Sequence, residues 1–357
     1  MTPGSGGRGG RRGARAAIAT LGVAVLAVGM GAHGVVSRWL ETRTLTAAID
    51  RLPVAYVEPD LLARTDSRVT RILIVGDDRR AGRRPRRRMT GSRADSVSVW
   101  SVSARGVTIL SLPRDLRVHV HDYGDGKLDG VLEYGPSAIV RAVQTITGLP
   151  IDHYVDLRFA AFRRVIHVLD GVDLVLRNAV WDDTVGLNLP AGHVHLDAAT
   201  ALRYVRSRHP FERIDGKWVA DPGDLGRIVR QQRLLGAVVA AVRSRPVSWV
   251  AAHASALLDG RGIAADQRFD PAVLRDLQRI LETRTDDVTA CTLPTRLQVP
   301  AAYAMSPFAP PHDGSTILRV PALGSTGMLA WISAAKLRSP VPAGCRPIDA
   351  QMPGGAS

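Results

Sequence analysis

The stretch Ala16–Val36 runs for 21 residues without a formal charge, and Arg8, Arg11, Arg12 and Arg15 stand directly before it. A helix needs about 20 residues to cross the hydrocarbon of a bilayer. Basic residues flanking such a segment stay on the cytoplasmic side. The segment is therefore expected to be a single-pass anchor in the cell membrane, with everything after Arg38 extracytoplasmic. The rival reading is a cleaved signal peptide. It fits less well, because the run is long for a signal core and no clear Ala-x-Ala site follows it.

The formal net charge of +14 first suggests a nucleic-acid partner. Its distribution argues against one. Four arginines lie in the Gly- and Arg-rich tail Met1–Arg15, and Arg79, Arg80, Arg83, Arg84, Arg86, Arg87, Arg88 and Arg93 form a second run without an acid. A duplex-binding domain needs basic residues spread along a folded face, so no nucleic-acid partner is expected. The second run reads as a solvated loop, or as a contact for anionic lipid or glycan. Two cysteines, Cys291 and Cys345, are too few for a metal cluster. They are either two thiols or, outside the cytoplasm, a disulfide.

Five segments are expected: a cytoplasmic basic tail (1–15), a transmembrane anchor (16–36), a stalk or linker (37–68), an extracytoplasmic domain (69–335) and a flexible tail (336–357). Arg71–Val75, Ser96–Ser103, Val107–Leu112, His153–Leu157, Val172–Leu176, Val288–Leu293 and Thr316–Val320 read as strands, the second and third forming a hairpin. Ser137–Thr147 has apolar residues at helical spacing, with Ser137 as the cap and Gly148 as the stop. Phe159–Leu169, Asp197–Val205, Asp224–Val242 and Pro271–Thr283 read as further helices. Alternating strands and helices give an α/β class, a mixed central β-sheet flanked by helices, behind a single N-terminal transmembrane helix.

Polar residues gather where the strands end: Asp77 and Asp78 after Gly76, Arg93 and Asp95 before the second strand, Arg114 and Asp115 after Pro113, then Lys127 and Asp129. Further on come Arg206 and Arg208, expected to point to one face of an extended segment. Arg227 and Gln231 lie four apart and share a helix face, with Leu225, Ile228, Val229 and Leu235 towards the core. Guanidinium forks grip phosphate oxygens in a bidentate way. Carboxylates can hold Mg²⁺, which takes one or two of them plus substrate phosphates. The set suits a pyrophosphate.

The joint pattern resembles the LytR-CpsA-Psr family. The matching stretches are Ile72–Asp78, Arg93–Ser96, Leu110–Asp115, Gly148–Val155, Leu169–Val172, Leu187–Gly192, Leu202–Arg208, Asp224–Arg227 and Arg230–Gln232, in order across residues 69 to about 245. The resemblance implies an α/β/α-like fold and Mg²⁺-assisted transfer of a glycan phosphate from a polyprenyl-pyrophosphate-linked glycan to a peptidoglycan hydroxyl. By position, Asp78 and Asp95 would be the metal-side carboxylates, either of them the proton acceptor. Arg93, Arg114, Arg206, Arg208, Arg227 and Gln231 would grip the pyrophosphate, with Asp115 a secondary catalytic candidate. The helices Ser137–Thr147 and Phe159–Leu169 are candidates to line a slot for the lipid chain, or are plain core.

The chain departs from the family at three places. The Arg-rich insertion lengthens the gap between Asp78 and Arg93, Asp129 stands where Asn is usual, and His209–Gly223 is inserted beside the arginine site as a surface loop or a gating element. Three rival functions stay open: hydrolysis of the lipid pyrophosphate, non-catalytic binding of polyprenyl phosphates or glycans, and transcription regulation, which the anchor topology disfavours.

Overall fold

Within the run from Val69 to Asp77, Ile72–Val75 is apolar on both alternating faces, the pattern of a strand covered on both sides. The computed structural model places it in the middle of the sheet. It describes residues 46–47, 49–63, 69–77, 92–103, 106–120, 123–221, 223–245, 249, 253, 262–270, 273, 288–293, 296–298, 317–319 and 345–347. The segment 16–36, Asp78, the basic run Arg79–Arg88 and nearly all of the helix expected over Pro271–Thr283 lie outside these residues. Among the described residues no helix is long and apolar enough to cross a membrane.

The strands in chain order are β1 (Val69–Asp77), β2 (Ala94–Ser103), β3 (Gly106–Leu112), β4 (Arg117–Val120), β5 (Gly124–Lys127), β6 (His153–Arg158), β7 (Val172–Leu176), β8 (Val180–Asp182), β9 (Leu187–Leu189), β10 (Gly192–Leu196), β11 (Phe211–Ile214), β12 (Lys217–Ala220), β13 (Ile263–Ala265), β14 (Val288–Thr292), β15 (Arg296–Gln298), β16 (Ile317–Arg319) and β17 (Cys345–Pro347). The main helices are α1 (Pro136–Thr147), α2 (Phe159–Val168), α3 (Ala198–Arg206) and α4 (Asp224–Arg243). Seven strands form one mixed sheet in the order β13-β6-β1-β2-β3-β14-β17. The expected hairpin is β2–β3, antiparallel from Val97↔Leu112 to Ser103↔Gly106. β6 runs parallel to β1, and β14 runs parallel to β3.

The two sheet faces bury separate cores. Ile72 and Ile74 face a cluster with Phe162, Val165, Tyr204, Leu234 and Val238, so α2, α3 and α4 cover that side. Leu73 and Val75 face the other cluster with Ile139, Val140 and Val143 of α1. The layers are thus helix, sheet, helix. The apolar residues of α1 and α2 pack into the cores on opposite sheet faces, which is the plain-core reading of these two helices.

Other expectations need correction. The segment 37–68 is expected to be a stalk or linker, but its Ile49, Val57 and Leu62 are buried in the cores. Val54 bridges Ala265, Leu62 bridges Ile151, and the Gln267 amide bonds both Val57 N and Val57 O. The folded body therefore begins before Val69. The tail 336–357 is expected to be flexible, yet Cys345–Pro347 pairs along β14. Ser137 does not cap α1. Gly135 holds the cap position at φ 100°, Pro136 opens the helix, and Ser137 Oγ accepts from Glu58 N at 2.9 Å. Gly148 ends the helix in the left-handed region as expected.

Candidate active site

β1, β2 and β3 all deliver polar groups to one end of the sheet. A register shift at Gly76/Asp77 breaks the β1–β2 pairing there. Asp77 is buried, and Ser92 Oγ donates to its Oδ2 at 3.4 Å. Asp95 lies one residue inside β2 and is almost fully buried.

Pro113 stops β3, and the turn after it brings Arg114 back over β2. Arg114 Nη1 donates to Asp95 Oδ1 at 3.2 Å. Arg208 Nη2 lies 3.7 Å from the same oxygen. Two arginines about a hundred residues apart thus converge on one buried carboxylate. Asp115 Oδ2 lies 3.8 Å from Arg114 Nε, and Asp115 Oδ1 accepts from Lys127 at 2.9 Å. Arg93 Nη1 reaches Asp129 Oδ2 at 3.5 Å. Burial pushes the Asp129 carboxyl above the usual range, and Arg114 and Arg93 only partly oppose that rise.

Arg206 and Arg208 do not share an extended segment. Arg206 is the last residue of α3, and the chain turns extended only at Ser207. The two side chains therefore part. Arg206 sits over the Phe159 ring at 5.4 Å and lines a cavity of about 380 Å³ with Arg163, Arg203 and Leu202. Arg208 turns to Asp95.

Arg227 is buried in the first turns of α4, with Gln231 one turn on. The helix is pinned at the two residues that flank Gln231. Arg230 Nη2 donates to Ser207 O at 2.7 Å, beside Arg208. Gln232 Nε2 donates to Ser111 Oγ at 3.1 Å, three residues before Arg114. Leu225, expected in the core, is instead 40% exposed, while Ile228 and Leu235 are buried as expected.

The structure thus gathers Asp95, Arg114, Asp115, Arg208 and, through Asp129, Arg93. Arg227 and Gln231 lie on α4, whose Arg230 and Gln232 reach Ser207 and Ser111, Arg206 goes to its own cavity, and Asp78 lies outside the described residues. Sequence reasoning missed Arg230 and Asp221. Arg230 is fully buried and pairs with Asp221 as well as with Ser207 O. The signal was an acid just before the Pro-Gly that opens the helix. Sequence reasoning also missed Asp182, whose carboxylate takes Ser207 Oγ and, at 3.4 Å, His209 N, fixing the turn that carries Arg208. Burial raises the Asp182 carboxyl, but the bonds from Ser207 and Thr184 outweigh it and hold the group below the usual range.

Among the described residues no group of three or more His, Cys, Asp or Glu forms a metal cage. The donor chemistry fits a Mg²⁺ held by one or two carboxylates with phosphate oxygens completing its shell. Asp95 offers a hard oxygen donor at the right end of the sheet.

A mixed sheet between two helical layers, with arginines and carboxylates converging at one strand end, defines an α/β protein with a charged site at its strand ends. The sequence matches the LytR_cpsA_psr family over residues 50–304, and the chain belongs to that family. It is 29% identical over 231 residues to the cell wall biosynthesis protein LcpA of Corynebacterium glutamicum, covering 56% of this chain and 42% of LcpA. It is 28% identical over 206 residues to the polyisoprenyl-teichoic acid–peptidoglycan teichoic acid transferase TagU of Halalkalibacterium halodurans, covering 56% of this chain and 61% of TagU. The chain spans about half the length of the curated relatives it matches. Its fold is similar to a LytR-Csp2A-Psr enzyme from Actinomyces oris, with TM-score 0.59 and 28% identity over 83% of this chain and 98% of that one.

Proposed function

We propose that the chain transfers a glycan phosphate from a polyprenyl-pyrophosphate-linked glycopolymer to a peptidoglycan hydroxyl, forming a phosphodiester in the cell wall. The observation that carries this reading is the convergence of Arg114 and Arg208 on buried Asp95. Two guanidinium groups fixed beside one carboxylate offer cationic donors to a diphosphate and leave a proton acceptor beside it. The transferase name of TagU supports the substrate class.

In this reading the acceptor oxygen attacks the glycan-side phosphorus. The bond from that phosphorus to the bridging oxygen breaks, and polyprenyl phosphate leaves. Arg114 and Arg208 hold the phosphates in line and stabilise the charge growing on the leaving oxygen. Arg93, Arg227 and Gln231 complete the grip, while Arg206 holds the glycan side from its cavity. Asp95 or Asp78 takes the acceptor's proton, and Asp115 with Lys127 holds the Arg114 turn. Mg²⁺, when bound at Asp95 and Asp78, would supply charge neutralisation on the phosphates.

We further propose that residues 16–36 anchor the chain and that the domain works outside the cytoplasm. The disulfide at Cys291 supports this, because disulfides persist in oxidising compartments.

The test incubates the full chain in detergent with a short-chain lipid-pyrophosphate glycan, peptidoglycan fragments and Mg²⁺, followed by mass spectrometry. A new glycan phosphodiester on peptidoglycan with lipid phosphate released is the expected result. Lipid phosphate without the diester would make the chain a hydrolase. Binding without either product would make it a carrier.

A further inference from the structure

The segment His209–Gly223 is not an irregular loop. It is the hairpin β11–β12, and β11 pairs with β8, so that a four-stranded sheet β12-β11-β8-β9 stands at the edge of the site. Directly paired residues point to the same face. Val180, Asp182, Leu187 and Leu189 point inwards and are buried. The outer face is set by the pairs Trp181↔Asn188, Phe211↔Trp181 and Arg213↔Trp218.

That outer face is aromatic and uncovered by the described residues. Trp181 is 40% and Trp218 48% exposed. The Trp181 ring lies 5.7 Å from Phe211 and 6.4 Å from Trp218. Only 5% of the chain is aromatic, so three rings in a row on an outer sheet face are a concentrated feature. Exposed apolar groups grouped in this way mark a binding surface. Asn188 and Arg213 stand beside the rings on the same face and are exposed.

We propose that this face is a platform for the glycan chain of the donor, a sugar-binding surface separate from the phosphate cradle. The proposal rests on the transferase reading for the identity of its occupant. A pyranose ring has a flat face of C–H groups and a rim of hydroxyls. Stacking the flat face on an indole buries apolar area, and the rim hydroxyls fall to the Asn188 amide and the Arg213 guanidinium. The location agrees. The hairpin leaves the chain directly after Arg208 and returns at Asp221, which pairs with Arg230 beside Ser207. A glycan whose phosphate sits at Arg208 would leave the cradle along this sheet.

A bilayer surface is the rival occupant, and the hairpin tip speaks against it. Asp215 and Gly216 form the turn, both with positive φ, and Asp215 is exposed. A tip entering the hydrocarbon would have to desolvate that carboxylate, at a cost of several kcal/mol.

The test uses the full chain in lipid nanodiscs and titrates it calorimetrically with two soluble probes, an N-acetylglucosamine tetramer and a galactose tetramer. Binding of at least one is expected, with its Kd raised about tenfold or more in Trp181→Ala/Trp218→Ala and unchanged in Arg114→Ala. If the double variant unfolds, Trp218→Phe and Arg213→Ala replace it, with weakened binding expected of each. In the transfer assay, the double variant should raise KM for a long-glycan donor and leave turnover of a single-sugar donor unchanged. The proposal is overturned if neither tetramer binds or if binding ignores the tryptophans. It is also overturned if brominated phosphatidylglycerol in the nanodisc quenches the fluorescence of these two tryptophans. Tetramer binding without any turnover would remove the transferase reading and leave the platform. Turnover with no tetramer binding would remove the platform alone.

Discussion

Arg114 donates to Asp95 Oδ1 at 3.2 Å across the β2–β3 hairpin, and Asp95 is buried. The bond sets the guanidinium before any substrate arrives, which is how a preorganised cationic site lowers a barrier. Asp95→Asn keeps the shape and removes the charge. It is expected to lower kcat by about 10²-fold or more in the transfer assay. Arg114→Lys should do nearly as badly, because an ammonium cannot bridge a carboxylate and a phosphate in one plane. Wild-type turnover in either variant would remove the pair from the chemistry.

Asp129 is held above the ordinary carboxylate range, mainly by burial. The folded state therefore keeps this proton at a pH where the unfolded chain has lost it. The contribution of the group is present in full below the unfolded value of about 3.9. It is lost as pH rises through the raised folded value. Urea denaturation of wild type and Asp129→Asn is expected to show the wild type losing ground to the variant as pH rises from about 4. The opposite slope would contradict the burial argument. The same variant should loosen Arg93, whose guanidinium reaches the Asp129 carboxylate.

How much of this was legible beforehand depended on the range of the interaction. The β-branched run around Ile72–Val75, the β2–β3 hairpin and the stop at Gly148 are local signals, and all three appear in the fold. Gathering Asp95, Arg114 and Arg208 was foreseeable only from the joint motif order, since their contact spans the sheet. Arg206 failed as a partner of Arg208 because α3 runs one residue beyond the expected end at Val205, which rotates the side chain away. Residues 46–63 looked like a stalk because Pro53 and Pro59 interrupt any period. Their burial comes from pairings with Ile151 and Ala265, far away in the chain. Ser137 looked like a cap, but Gly135 and Pro136 had already met the geometric need.

Cys291 is disulfide-bonded, and the chain's other cysteine, Cys345, lies directly across from it in the β14–β17 register. The bond closes a long loop and so restricts the unfolded chain. Cys291→Ala is expected to cost about 2–4 kcal/mol in chemical denaturation. Reductant should lower the midpoint of the wild type and leave the variant unchanged. An equal response in both would place the stabilisation elsewhere.

Gly226 sits in the first turns of α4, where Ala would raise helix stability by about 1 kcal/mol. A Cβ there would run into the Asp221 carboxylate, which pairs with buried Arg230. Burial pushes the Asp221 carboxyl up and Arg230 opposes it, so the pair depends on close approach. Gly226→Ala is therefore expected to lose about 1–3 kcal/mol despite its better helix propensity. Asp221→Ala alone should lose about 3–5 kcal/mol, because it leaves Arg230 buried without its carboxylate. Once Asp221 is Ala, adding Gly226→Ala should no longer hurt and should recover up to about 1 kcal/mol. That reversal of sign is a coupling energy between two residues five apart, read from a double-mutant cycle by urea denaturation. Additive losses would mean that the glycine serves something other than the approach of Asp221 to Arg230.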